Sequence, residues 1–268
     1  MSRFGEATAV RRLEEGRYQA ELDGGFGFDE ALNGGYLMAP LLRAAVDASP
    51  HAHPVATSAN FLRVARPGAA EVWVESRKTG RTAAISRVTL VQDDRPVVDA
   101  TVTTGTLDAD ATPAWCGERP PMPPIEECVG FDAGERDRGF ADRVETRFDP
   151  ATMGWLDGRP TGRPESRAYF RLRDGYEPDA FALALAVDAL PPVVLNTGSS
   201  GWAPTVELTW QMRAVPAPGW LTLYGSGRLV NDGWFDEEVE VWDSAGRLVA
   251  QSRQLARTGR GDRREPRG

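Results

Sequence analysis

From Asn60 to Thr104 apolar and polar residues alternate along the chain, and β-branched side chains are frequent, as in AAISRVTLVQDDRPVVDATVTT. The pattern predicts several strands joined by short turns. A second segment, Trp210 to Gln254, has the same design. Displaced by 150 residues, Arg63 falls on Arg213, Gln92-Asp93 on Trp242-Asp243, Val98 on Leu248 and Ala100 on Ala250. The pairs Pro67-Gly68 and Pro218-Gly219 match with one residue of slip. Each repeat predicts an antiparallel sheet. Ahead of each lies a stretch of helical character, Asn33 to Ala48 and Pro178 to Leu190, apolar nearly all round. A helix of that kind has to be buried against something. A strongly curved sheet wrapped around one helix, built once in each half, satisfies both elements.

Leu107 to Glu145 is rich in Pro, Gly and acids and poor in strand formers, which predicts a linker that lets one half fold back beside the other. Its Trp115 and Phe131 are expected to pack partly on the surface. The expected organisation is a first unit at 1–107, a linker at 108–145, a second unit at 146–258 and a flexible tail at 259–268. The Arg-rich end from Arg257 onward holds almost nothing apolar to bury.

Composition narrows the function classes. With 268 residues, 41% hydrophobic and 26% charged, the chain is ordinary globular material. A net charge of -8 argues against a nucleic-acid partner, which needs a concentrated basic face. Apolar runs are too short or interrupted to span a bilayer, and the charged start MSRFGEATAVRRLEEG is no secretory signal. A cytoplasmic protein without a membrane partner is expected. Cys116 and Cys128 make neither a disulfide framework nor a zinc site.

The candidate chemistry is reached largely by elimination. The two histidines, His51 and His53, lie in the loop SPHAHP, no Gly-x-Ser-x-Gly elbow accompanies them, and GSSG at Gly198 to Gly201 has the wrong spacing. Metal-ligand, Walker A and dinucleotide motifs are absent, so no metal or separate cofactor is expected. What remains is general-base catalysis by a carboxylate. Asp188, at the end of an otherwise apolar helical stretch, is the best candidate, although periodicity alone equally allows a solvent-facing acid before Pro191-Pro192. Thr205 and Gln254 by themselves read as strand residues, and Gly34-Gly35 as either a tight turn or a helix N-terminus where backbone can approach a ligand closely, the structural role being favoured.

In order along the chain, Gly34 to Tyr36, SANFLRVARPG, GRTAAISRVTLVQDDRPVVDATV, RAYFRLR, the helical stretch reaching Asp188, PTVELTWQMR and GRLVAQSRQ resemble the type II, TesB-like acyl-CoA thioesterases. The resemblance covers residues 1–258 and rests on the ordered series, not on one motif. It implies an α+β double hotdog: two curved antiparallel sheets, each around a central helix, fused in one chain. It further implies a hydrolytic water held by Asp188, Thr205 and Gln254, with an acyl-CoA as substrate and CoA entering only as part of it. The first half would complete the sheet and the acyl tunnel. The Leu255-Ala256 pair after Gln254, and Trp210-Gln211, depart from the family's pattern. Association into a homo-oligomer, a dimer by the prevalence of two-fold symmetry, is expected. The competing reading is a non-catalytic acyl-CoA or acyl-chain binder of the same fold. A hotdog dehydratase is a third, disfavoured because neither predicted helix offers a histidine.

Overall fold

The computed structural model describes residues 2–28, 31–130, 138–201 and 203–259. Among these residues fourteen strands form one antiparallel sheet. In chain order they are β1 (Val10–Glu14), β2 (Arg17–Leu22), β3 (His53–Phe61), β4 (Gly68–Thr79), β5 (Ala83–Gln92), β6 (Arg95–Gly105), β7 (Val129–Gly130), β8 (Val144–Phe148), β9 (Glu165–Leu172), β10 (Thr205–Met212), β11 (Leu221–Ser226), β12 (Val230–Asn231), β13 (Trp234–Trp242) and β14 (Leu248–Arg257). Their order across the sheet is β1-β2-β4-β5-β6-β3-β10-β14-β13-β11-β9-β8-β7, with β12 attached to β13.

The order reads as a palindrome about the β3–β10 pair: β6 beside β3 answers β14 beside β10, and so outward to β1 and β8. The internal repeat in the sequence is therefore a repeat in topology. The two halves join through direct pairing, with Glu207 opposite Asn60 and Trp210 opposite Thr57. The matched Pro-Gly pairs have a backbone reason, since Gly68 and Gly219 have φ of 119° and 100°, a region L side chains avoid. The β5–β6 hairpin turns on Asp93 and Asp94, both at positive φ, in keeping with a two-residue turn whose twist matches the strands.

Among the described residues four α-helices accompany the sheet: α1 (Arg3–Ala7), α2 (Gly34–Asp47), α3 (Arg138–Ala141) and α4 (Ala180–Ala186). The apolar helix α2 packs on β3, β4, β5 and β6 and against α4, while α4 also touches β10. Helix α4 is shorter than the Pro178-to-Leu190 stretch suggests. Asp179 caps its start by accepting from the backbone N–H groups of Phe181 and Ala182. At its end Asp188 and Ala189 donate to carbonyls three residues back, Leu185 and Ala186, so the last turn tightens and Asp188 lies just outside the helix.

The stretch between the halves is not featureless. It carries β7, α3 and the first residues of β8, which pairs with β9. Before β7 it runs along the second half of the sheet, where Arg119 donates to Thr222 and Tyr224 and Tyr169 donates to the Pro123 carbonyl. Trp115 does not pack as expected and is 85% exposed, whereas Phe131 lies outside the described residues. The start of the Arg-rich end is also structured: Arg257 belongs to β14 and its guanidinium lies over the face of Trp234, 4.6 Å from the ring centroid. Residues 260–268 lie outside the described residues. Among the described residues no helix is long and apolar enough to cross a membrane.

Candidate active site

Asp188 sits where the two halves meet. Its carboxylate Oδ2 accepts from the Gly35 backbone N–H and from Asn33 Nδ2, each at 2.9 Å. Asn33 Nδ2 also donates to the Asp188 carbonyl at 2.8 Å, while Asn33 Oδ1 caps α2 by accepting from the Tyr36 N–H. One side chain thus starts the first helix and holds the acid that follows the second. The glycines are required by space. A Cβ on Gly35 would stand 2.5 Å from the Ala184 carbonyl oxygen and 2.9 Å from Asp188 Cβ, and one on Gly34 would meet the Phe61 ring at 2.9 Å. Of the two readings of Gly34-Gly35, the structure shows the helix N-terminus, here pressed against the Asp188 carboxylate.

Burial raises the Asp188 carboxyl from its ordinary 3.8 to about 6, and the donors at Gly35, Gly34 and Asn33 only partly offset that. A carboxylate tuned in this way is ionised at neutral pH yet more basic than a free one.

Thr205 and Gln254 come together directly. The Thr205 hydroxyl donates to Gln254 Oε1 at 2.6 Å. Thr205 has the wrong parity to share the inward face of Leu208, Trp210 and Met212 on β10, and a bulge between Thr205 and Glu207 resets the alternation. Gln254 lies on β14 opposite Leu208 and is buried. No hydrogen bond links Asp188 to Thr205 or Gln254.

Opposite Gln254 lies a further buried acid, Glu237 on β13, which the sequence reading missed. It is the register partner of Gln254, is only 2% exposed, and accepts from the Val193 backbone N–H at 2.9 Å. Its carboxyl is driven up to about 8, first by burial and then by the nearby charge of Asp188, against hydrogen bonds from Val193 and the Gln254 side chain. The signal was present in the strand's alternation: Glu237 takes the inward place between Phe235 and Val239, where an apolar residue belongs.

The histidines are elsewhere. His51 Nε2 bonds the Gly80 carbonyl and His53 Nδ1 accepts from the Leu107 N–H. Both cysteines are free, and among the described residues no group of three or more His, Cys, Asp or Glu side chains could hold a metal ion.

Comparison with known proteins gives a consistent picture. Residues 22–105 match the family model described as acyl-CoA thioesterase N-terminal domain, and residues 118–258 the one described as acyl-CoA thioesterase C-terminal domain. An uncharacterized protein of Mycobacterium tuberculosis is 32% identical over 94% of this chain and 97% of its own length. The solved structure of a candidate thioesterase II from Thermobifida fusca is 46% identical, covers 97% of this chain and 98% of that one, and superposes with a TM-score of 0.91. A hot dog fold protein of unknown function from Alicyclobacillus acidocaldarius, 20% identical, covers 98% and 100% of the two chains with a TM-score of 0.84, a likeness of fold alone.

Proposed function

Because the chain belongs to the acyl-CoA thioesterase family, with both of that family's domains in order, we propose that it hydrolyses an acyl-CoA to the free acid and CoA, using water activated at Asp188. We take the fold as two hotdog units in one chain, centred on α2 and α4. The observation that carries the reading is the Asp188 carboxylate, held by Asn33 and Gly35 from the other half and raised in proton affinity by burial.

Asp188 takes a proton from water as the oxygen adds to the thioester carbonyl carbon. The tetrahedral intermediate collapses with cleavage of the C–S bond. The departing thiolate recovers the proton from Asp188, so acid and thiol leave and the carboxylate is restored. Thr205 and Gln254, joined to each other, fix the position of the water. The chemistry calls for no cofactor beyond the CoA of the substrate.

The test is thiol release from a panel of acyl-CoAs running from acetyl through long-chain to aromatic. Turnover of at least one member is expected. Binding without release from any of them would replace the enzyme by the acyl-CoA binding protein. We further propose that the chain works in the cytoplasm as a homodimer; light scattering at micromolar concentration that gave a monomer would remove the second part.

A further inference from the structure

We propose that Glu237 is the positioning residue of this site, a strut that orients the Gln254 amide and sets its distance from Asp188. The inference rests on the functional reading above. Three observations carry it. Glu237 and Gln254 are register partners opposite one another on neighbouring strands, both buried on the same inward face. With Gln254 Oε1 engaged by the Thr205 hydroxyl, the amide nitrogen is the end left to face the Glu237 carboxyl group. The same carboxylate grips the Val193 N–H, at the start of the short turn Val193–Thr197 that follows Asp188 and Pro191-Pro192. One buried side chain thereby connects the strand that carries Gln254 to the segment that carries Asp188.

A polar side chain on the apolar face of a strand is costly, and Glu237 offsets part of that cost through its acceptor oxygen, which the Val193 N–H engages. Its neighbours on β13, Asp236 and Glu238, lie on the other face towards Arg253. Among the described residues no cation pairs with Glu237, and the charge that bears on it is Asp188. Such a position fits a group whose reach and acceptor geometry hold Gln254 in register with the base.

The experiment compares Glu237→Leu, Glu237→Gln and Glu237→Asp in the full chain with an acyl-CoA substrate, alone and combined with Gln254→Ala. Glu237→Leu removes the acceptor, and kcat should fall on the order of 10- to 100-fold with KM changed less than about 3-fold. Glu237→Gln keeps length and an acceptor and should restore kcat to within about 3-fold of wild type. In the Gln254→Ala background Glu237→Leu should cost less than about 3-fold, since there is no amide left to place. Wild-type kcat in folded Glu237→Leu overturns the proposal, as does an equal loss in both backgrounds. Should Glu237→Leu fail to fold, Glu237→Asp carries the test: the acid shortened by one methylene must fall below Glu237→Gln, and equality of the two overturns the proposal. If Gln254→Ala alone turns over at the wild-type rate, the reading of the site fails with it. Loss in Gln254→Ala without loss in Glu237→Leu removes the strut only.

Discussion

At the scale of single residues, the site depends on what glycine lacks. Gly35→Ala places a methyl group 2.5 Å from the Ala184 carbonyl oxygen, a backbone atom that cannot step aside without moving α4. The expected result is a loss of about 1–3 kcal/mol of stability, the scale of overpacking, together with a fall in turnover because Asp188 loses a donor and its position. Thermal denaturation and thiol release on the same preparation check this; a variant with unchanged Tm and rate would contradict the cradle. As candidates, Thr205 and Gln254 were reached only through resemblance, Thr205 falling on the outward parity of its strand, whereas elimination singled out Asp188 but periodicity equally let it face water. Asn33 and Gly35 escaped because their role lies across 153 to 155 residues of chain, where no local pattern reaches.

Among the elements, the strands and the apolar helix α2 were legible because two-residue alternation and apolar runs report burial directly. The end of α4 was not, because a tightened last turn depends on what the chain must reach next. Strand β13 holds the most informative exception, an acid on its apolar face, and that exception has a thermodynamic consequence. Glu237 binds its proton up to about pH 8 in the folded protein, against an ordinary 4.5. Between those values the native state holds a proton that the unfolded chain has released, so stability falls as pH rises across the window. Asp188 adds the same sign between 3.8 and about 6. Glu237→Gln removes the larger part. Its Tm should therefore decline less than the wild type's from pH 5 to 8; parallel declines would show that Glu237 is ionised throughout.

For the whole molecule, the repeated design of the sequence becomes one continuous sheet whose two halves meet at β3 and β10, with α2 and α4 packed together. Division of labour between the halves is less complete than sequence suggests. The trio comes from the second half, yet the groups that hold Asp188 come from the first, so the first half does more than complete a sheet. The central claim is that this shared carboxylate activates the water that cleaves the thioester. Asp188→Asn tests it most directly, because the amide keeps the shape and removes the basicity. With the best substrate of the panel, turnover should fall by roughly 100-fold or more, the scale of general-base catalysis, with acyl-CoA affinity and Tm little changed. In the wild type kcat/KM should rise with pH through about 6, as Asp188 ionises. A folded Asp188→Asn protein that hydrolyses that substrate at the wild-type rate would contradict the account.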